Sequence, residues 1–185
     1  LIGYPPRDLL LREGVVEACG DRLTALAADF PPEATVLVGV PRRSADGSIR
    51  NAVALCRDGR VERFFDKRLL PTYDVFDEAR YFRPGSRPGL VRGAGGLDLG
   101  ITVCEDAWQA AGLTPMDYGV DPVAQLATFV RQDATFSATV NLSASPFHQS
   151  KINDRVTVAR TAAARLGMPF LLANQVGGND DLVFD

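Results

Sequence analysis

The sequence predicts an α/β protein with a mixed β-sheet, and three observations support this prediction. Short apolar strands alternate with amphipathic helical segments, which is the pattern of strands that pair in parallel. One pair of strands is joined by a two-residue turn signal, which is typical of an antiparallel hairpin. The chain has 185 residues, of which 46% are hydrophobic, so it can bury a core. No internal repeat or linker is visible, and we expect a single domain.

The first element is predicted to be a helix, with Asp8 as a possible N-cap and Pro31-Pro32 at its end. Apolar residues recur between these points at spacings of three, four and seven, as they do on one face of a helix. They are Leu9, Val16, Cys19, Leu23, Leu26 and Phe30. Cys19 on this face, and Cys56 in a later strand, should therefore belong to the core.

Three strands should follow this helix. An apolar run marks the first strand at 36–40, and strands at 51–56 and 61–65 flank Asp58-Gly59, a hairpin turn signal. Residues 67–96 are rich in Pro, Tyr, Asp and Arg and show little periodicity. They are predicted to form long loops.

The second half of the chain alternates strands and helices. Apolar residues alternate over 97–103, and this strand should carry Cys104 on its more polar face. Asp121-Pro122 should begin a helix, and strands are predicted at 136–142 and 169–174. A last helix is predicted between those two strands. Its apolar face comprises Ile152, Val156, Ala159, Ala163 and Leu166.

Composition and charge argue against several classes of function. The net charge of -3 and the scattered basic residues disfavour a nucleic-acid partner. No apolar stretch is long enough to cross a bilayer, and the first residues do not resemble a signal sequence. Three widely spaced cysteines suit neither a disulfide framework nor a zinc site. We therefore expect a cytoplasmic protein with no metal site in this segment.

Cys104 is a candidate nucleophile because it follows an apolar strand, and ligands bind at strand ends in open α/β sheets. A small buried hydrophobe is the alternative, and position alone leaves both open. Glu105 and Asp106 follow directly and would raise the pKa of a thiol, so a reactive Cys104 requires a nearby cation or base. Lys67, at another strand end, could supply the cation, although its spacing equally suits a solvated lysine.

Three segments that surround these residues, 65–78, 100–108 and 141–147, resemble motifs of a known family. In order and context, the Lys67 and Cys104 segments are similar to the lysine and cysteine motifs of the nitrilase superfamily. Within that superfamily, GYPPRDLLL at 3–11 and NQVGGND at 174–180 are similar to stretches of glutamine-dependent NAD synthetases. The resemblance implies a nitrilase-like α-β-β-α sandwich with mixed sheets, truncated at both ends, in which residues 1–185 form a partial carbon–nitrogen hydrolase domain.

The resemblance also implies roles for individual residues. Cys104 would attack the side-chain amide of glutamine and form a thioester, while Lys67 would stabilise the oxyanion together with the backbone N–H of Glu105. Glu105 would face the α-amine of the ligand, and Lys151 would face its carboxylate. The substrate-binding positions are Tyr4, Tyr73, Phe76, Glu105, Ser145 and Lys151. Trp108 should pack beneath the cysteine, whereas His148, in a loop, is not expected to act in catalysis.

Several parts of the family pattern are expected outside this segment. The general-base glutamate should precede Leu1, and no residue of the chain replaces it. The ATP-dependent synthetase domain, with its ATP and Mg, should also lie elsewhere in a longer parent chain. We therefore expect an inactive fragment without a cofactor of its own. The resemblance further implies a homo-oligomer.

Two alternatives remain open. The chain could belong to a stand-alone amidase or N-carbamoyl hydrolase of the same superfamily, and an ATP pyrophosphatase domain in the parent would argue against this. It could also be a non-catalytic nitrilase-like binding module. The presence of both Lys67 and Cys104 argues against a non-catalytic role.

Overall fold

A computed structural model describes residues 1–133 and 135–185 and divides the chain into two units, Leu1–Arg87 and Pro88–Asp185. Each unit has a β-sheet and a buried apolar cluster. In the part of the chain that is described, no helix is long and apolar enough to cross a membrane.

The first unit begins with a 3₁₀ turn, Arg7–Leu11, which is followed by helix α1, Val15–Asp29. The prediction of one continuous helix capped by Asp8 was wrong, because Gly14 separates the two elements with a left-handed φ of 77°. The Asp8 carboxylate instead accepts a hydrogen bond from the Tyr81 hydroxyl at 2.5 Å. The chain therefore turns before α1 begins.

Helix α1 packs on a three-stranded antiparallel sheet of order β1-β2-β3. Its strands are β1 (Val36–Arg43), β2 (Ile49–Arg57) and β3 (Arg60–Asp66). The helix and the sheet share one buried cluster that contains Cys19, Leu23, Ala27, Val40, Ala54 and Cys56. The predicted burial of Cys19 and Cys56 is thus confirmed.

The hairpin signal between β2 and β3 is also confirmed. Asp58 and Gly59 have φ angles of 53° and 69°, so both take the left-handed conformation that a tight hairpin turn requires. Aspartate and glycine tolerate this conformation better than most residues, which explains why the pair is a reliable signal. The turn places the end of β3, and with it Lys67, beside β2.

The segment after β3 was predicted to be loop, and it contains a short helix, α2 (Glu78–Tyr81). Gly85 then folds back over the end of β3. Its N–H donates to the Lys67 carbonyl at 2.8 Å, and a Cβ at Gly85 would lie 2.6 Å from the Asp66 carbonyl oxygen. Only glycine allows this close approach, which fixes the backbone around Lys67.

The second unit contains a four-stranded sheet of order β4-β5-β6-β7 and a separate two-stranded hairpin. The strands are β4 (Gly89–Ala94), β5 (Leu97–Val103), β6 (Phe136–Ser143), β7 (Phe170–Asn174), β8 (Gly177–Asn179) and β9 (Leu182–Phe184). β4 is antiparallel to β5, whereas β5, β6 and β7 are parallel, so the predicted mixed sheet is confirmed. β4 lies within the region that was predicted to be loop, and the hairpin was not predicted.

Helix α3 (Pro122–Val130) lies between β5 and β6 in the chain and begins where the sequence predicts. The Asp121 carboxylate caps it by accepting a hydrogen bond from the Ala124 N–H at 2.9 Å. On β5, a Cβ at Gly100 would lie 2.9 Å from the Leu126 side chain and 2.7 Å from Thr139 Oγ1. The absence of a side chain at Gly100 therefore lets α3 approach the sheet closely.

Helix α4 (Lys151–Leu166) is confirmed, but its predicted apolar face was wrong at the first two positions, although Leu166 is buried as predicted. Ile152 and Val156 are 59% and 38% exposed. The buried residues of the helix are Arg155, Val158, Ala162 and Leu166. Arg155 is buried because its guanidinium donates to the Ser145 carbonyl at 2.7 Å and pairs with Asp185 at 2.6 Å.

The core of the second unit joins both helices to the segment that follows Cys104. Its buried members include Ala107, Trp108, Val123, Leu126, Val130, Phe136, Val158, Ala162 and Leu166. Trp108 is only 5% exposed and belongs to this core. The backbone of that segment is therefore anchored to the helices.

Candidate active site

Lys67 follows the last residue of β3 and is the largest of the fully buried side chains, with 1% of its surface exposed. Its Nζ lies 2.8 Å from Oε1 of Glu78, which is itself 3% exposed. A buried ammonium is costly unless a charge and hydrogen bonds compensate for the lost water. The pairing with Glu78 allows Lys67 to keep its charge inside the protein.

Three donors converge on the same carboxylate oxygen of Glu78. Besides Lys67, the Tyr4 hydroxyl donates at 2.7 Å and the Asn51 amide at 3.3 Å. The N–H of Glu78 donates to the Pro71 carbonyl at 2.9 Å, which anchors the start of α2. Side chains from three separate segments of the first unit thus hold the carboxylate, and the backbone contact fixes the helix that carries it.

The aromatic residues predicted to bind substrate lie beside this pair. The rings of Tyr73 and Phe76 are 5.5 Å apart in an edge-to-face arrangement, and those of Tyr4 and Phe76 are 6.3 Å apart. Lys67 Nζ lies 6.0 Å from the centre of the Tyr4 ring. A cavity of about 260 Å³ is lined by Tyr4, Phe76 and Glu78, among others. The structure therefore brings together all four residues that the sequence placed in the site from this unit.

Glu78 is the last residue of the 65–78 motif, but no role was assigned to it from the sequence. The segment that carries it has no periodicity, so its burial could not be anticipated. The rarity of lysine in this sequence could have pointed to the site. Among the 20 Lys and Arg residues, only Lys67 and Lys151 are lysines, and both are candidate site residues. A buried lysine requires an acidic partner, and Glu78 is one of the acidic residues in the same motif.

Cys104 was expected to lie on strand β5. It instead begins a 3₁₀ turn, Cys104–Ala107, directly after the strand ends. Its φ of 46° lies in the left-handed region, which is unfavourable for residues other than glycine, asparagine and aspartate. Strain of this kind persists only where surrounding contacts enforce it, and it is concentrated at functional sites. Cys104 is 9% exposed, so the thiol is nearly buried.

Two side chains hold this turn. The Asp106 carboxylate accepts a hydrogen bond from the Val103 N–H at 3.0 Å. The Asn141 amide donates to the Cys104 carbonyl at 3.2 Å and to Thr102 Oγ1 at 3.0 Å. Asn141 is fully buried on β6 and begins the 141–147 motif, although no role was assigned to it from the sequence. The parallel pairing of β5 and β6 places it beside Cys104.

Glu105 and Lys151 place opposite charges near Cys104. Glu105 is 4% exposed, and its Oε1 accepts a hydrogen bond from the Tyr118 hydroxyl at 3.0 Å. Lys151 Nζ lies 4.2 Å from the centre of the Trp108 ring. Burial lowers the pKa of Lys151, and the nearby carboxylates of Asp154 and Glu105 partly oppose this shift. The second unit therefore gathers a thiol, an anion and a cation.

Ser145 is the remaining predicted site residue, and it lies just after β6. Its N–H donates to the Asn174 side chain at 2.8 Å, and its carbonyl accepts from Arg155 and Asn174. The hydroxyl is buried and has no hydrogen-bond partner among the described residues. A rigidly held, unused hydroxyl can donate to a ligand.

His148 is the only histidine in the sequence. His148 is exposed and lies 3.7 Å from Asp154, as suits a loop side chain. Within residues 1–133 and 135–185, no group of three or more His, Cys, Asp or Glu side chains is placed to hold a metal ion.

The sequence matches proteins of known name along its entire length, although no protein-family model matches it. It is 38% identical over 192 residues to a glutamine-dependent NAD(+) synthetase from Synechocystis and 33% identical over 190 residues to one from Aquifex aeolicus. Each match includes all of this chain but only 33% and 30% of the relative. The chain thus spans about a third of the curated relatives that it matches.

Solved structures agree with these matches. A glutamine-dependent NAD+ synthetase from Acinetobacter baumannii, solved with ADP, superimposes with a TM-score of 0.82 at 31% identity, over 99% of this chain and 31% of that one. An amidase of the nitrilase superfamily from Nesterenkonia AN1 has a TM-score of 0.68 at 22% identity, over 99% of this chain and 63% of that one, which shows a shared fold. The chain is thus homologous along its whole length to part of the glutamine-dependent NAD(+) synthetases, and it has the predicted nitrilase-like fold.

Proposed function

We propose that this chain is the glutamine-hydrolysing part of a glutamine-dependent NAD synthetase. The observation that carries the proposal is the match along the whole chain to proteins of that name, at up to 38% identity. Chemistry within each unit supports it. One unit holds a buried lysine, and the other holds a cysteine in an enforced, strained turn.

In this proposal, the sulfur of Cys104 attacks the side-chain amide carbon of glutamine. The carbon–nitrogen bond then breaks, the nitrogen leaves as ammonia after gaining a proton, and a glutamyl thioester remains. Water hydrolyses the thioester to glutamate and restores the thiol. The contacts from Asp106 and Asn141 keep the cysteine backbone fixed throughout, so little reorganisation is required at the moment of reaction.

Lys67 is proposed to stabilise the negative oxygen that forms when the amide is attacked, together with the backbone N–H of Glu105. Glu78 would hold the ammonium in place, because its carboxylate pairs with Lys67 at 2.8 Å. Glu105 would receive the α-ammonium of glutamine, and Lys151 would receive its carboxylate. Ser145 would donate its hydroxyl to the ligand, and Tyr4, Tyr73 and Phe76 would pack against it.

We propose that the general base and the domain that uses the ammonia belong to a longer parent protein. A glutamate upstream of Leu1 would take the proton of Cys104 and pass it to the leaving nitrogen. An ATP-dependent synthetase domain in the same parent chain would consume the ammonia, with ATP and Mg bound there. We also propose a homo-oligomer, as the resemblance to the nitrilase superfamily implies, and a cytoplasmic location, which the three widely spaced cysteines favour.

The test is nitrogen-source dependence in the full-length protein. Cys104→Ala should abolish NAD synthesis from glutamine and preserve synthesis from free ammonia, since ammonia bypasses the thiol. Cys19→Ala, in the core of the first unit, is the matched control and should retain both activities. Glutamine use that survives Cys104→Ala would show that the nucleophile is wrong. A full-length protein that makes NAD from neither source, yet hydrolyses small amides, would favour the stand-alone amidase.

A further inference from the structure

Tyr118 is a residue without an assigned role that contacts the candidate site directly. It lies in the segment between the 3₁₀ turns after Cys104 and helix α3, and its hydroxyl donates to Oε1 of Glu105 at 3.0 Å. Glu105 is 4% exposed and follows Cys104 in the chain. Tyr118 therefore acts on a buried carboxylate that adjoins the thiol.

The segment that carries Tyr118 is tied to the 3₁₀ turn Gln109–Ala111 by side-chain hydrogen bonds. The Asp117 carboxylate accepts from the Gly119 N–H at 2.9 Å and from the Gln109 amide at 3.2 Å. On the other side of the segment, the Thr114 hydroxyl donates to Gln109 Oε1 at 2.9 Å. These contacts fix the backbone on both sides of Tyr118, so its hydroxyl has a defined position.

A tyrosine hydroxyl is a suitable donor for orienting a carboxylate that must bind a cation. It fixes the direction of the carboxylate without contributing a positive charge, whereas an arginine or lysine in its place would neutralise the anion. The Tyr118 hydroxyl thus leaves the negative charge on Glu105. Lys151, whose ammonium lies 4.2 Å from the centre of the Trp108 ring, contributes a positive charge near Glu105. Opposite charges around one nucleophile suit a zwitterionic α-amino acid group.

We propose that Tyr118 is a positioning residue that sets substrate specificity, because it orients Glu105 toward the α-ammonium of an amino-acid amide. This inference rests on the proposed function. An amide without an α-amine has no cation for Glu105 and gains nothing from its orientation. Tyr118 therefore favours glutamine over glutaramate, the same molecule without its amino group, and contributes little to the chemical step itself.

The experiment compares glutamine and glutaramate hydrolysis by the full-length protein and its Tyr118→Phe variant. A hydrogen bond to a charged group contributes enough to change binding about tenfold or more, so KM for glutamine should rise about tenfold with kcat largely retained. The kinetic constants for glutaramate should stay within about twofold of wild type. Thr128→Val removes an exposed hydroxyl from α3 but leaves the Tyr118–Glu105 contact, and it should preserve the ratio between the two substrates.

A second measurement guards against a general loss of structure in the variant. In a double-mutant cycle, Glu105→Gln should lower the glutamine preference by itself, and Tyr118→Phe should add no further loss in that background. If Tyr118→Phe slows both substrates equally, or if its effect persists beside Glu105→Gln, Tyr118 has only a structural role while the proposed function stands. If wild-type protein hydrolyses no glutamine and Cys104→Ala protein binds none by calorimetry, the proposed function fails and this inference fails with it.

Discussion

The ammonium of Lys67 and the carboxylate of Glu78 form an ion pair of 2.8 Å that is almost entirely buried. Such a pair contributes little to stability relative to apolar residues, but breaking it leaves an uncompensated buried charge. A contribution to the free energy of unfolding therefore does not by itself explain why this pair is present. It is easier to understand if the charge of Lys67 is required for chemistry, since a buried, well-positioned cation stabilises developing negative charge more strongly than an exposed one.

Removal of the Glu78 charge should test this relationship. Glu78→Gln removes the carboxylate that pairs with the buried Lys67, and breaking a buried pair typically costs about 3–5 kcal/mol. We expect a clearly lower midpoint of thermal unfolding and a large loss of glutamine hydrolysis. Glu17→Gln is the matched control, because it breaks an exposed pair with Arg43 at 2.6 Å and should have a small effect on both. Equal effects of the two substitutions would contradict a special role for the buried pair.

Asn141 should be required for the conformation of the cysteine turn. Asn141→Ala removes the donor to the Cys104 carbonyl and leaves buried acceptors unsatisfied, which should cost about 1–3 kcal/mol. We expect glutamine hydrolysis to fall through kcat, because Asn141 holds the nucleophile rather than the substrate. Asn153→Ala, on the exposed side of α4, is the control and should leave steady-state kinetics unchanged. An unchanged kcat in Asn141→Ala would show that the turn does not depend on this amide.

The lowered pKa of Lys151 predicts a pH-dependent effect on stability. Its ordinary value is 10.5, and burial shifts it downward in the folded protein. Between the folded value and 10.5 the unfolded chain binds more protons than the folded protein, so stability rises with pH across that window. Below the window, the charged ammonium costs stability. Lys151→Met should therefore raise the midpoint of thermal unfolding at pH 7, and the difference from wild type should shrink as pH approaches 10.5.

The same substitution should weaken glutamine binding, since it removes the proposed partner of the substrate carboxylate. Calorimetric titration of glutamine into Cys104→Ala protein, with and without Lys151→Met, measures this loss without turnover. A lower unfolding midpoint in Lys151→Met at pH 7 would contradict the stability prediction. Unchanged glutamine affinity would contradict the proposed role in binding.

Residues 1–185 expressed alone should have little glutaminase activity. The general-base glutamate is expected upstream of Leu1, and general-base help is typically worth about 10²–10⁴-fold in rate. The measurement compares glutamine hydrolysis by this segment with that of a version extended upstream through the expected glutamate, using folded material of both. Comparable rates would place the base within residues 1–185 and would show that the proposed mechanism is incomplete.

The order of helices and strands could be predicted where a single local rule decides the structure. Asp58-Gly59 specified the hairpin because few residues tolerate its backbone angles, and Asp121-Pro122 specified the start of α3 because both residues favour a helix N-terminus. The buried face of α4 could not be predicted by apolar spacing. Arg155 is buried there by hydrogen bonds to Ser145 and Asp185, which are distant in sequence.

The residues of the candidate site could be predicted only where they occupy positions in a recognisable family motif. Resemblance to the nitrilase superfamily pointed to Lys67 and Cys104, and the structure shows each of them buried at the end of a strand. It gave no role to Glu78, Asn141 or Tyr118, whose contacts depend on how segments fold against one another. The left-handed conformation of Cys104 could not be predicted either, because the alternation of apolar residues along β5 indicated that the strand continues to Cys104.

The most direct test of the central claim is covalent trapping of the nucleophile with 6-diazo-5-oxo-norleucine, a diazoketone analogue of glutamine. The full-length protein would be treated with the analogue, digested and examined by mass spectrometry, with excess glutamine as competitor. We predict a single adduct on the peptide that contains Cys104, lost in the presence of glutamine and absent from Cys104→Ala protein. An adduct on Cys19 or Cys56, or no adduct on protein that hydrolyses glutamine, would contradict the assignment of Cys104 as the nucleophile.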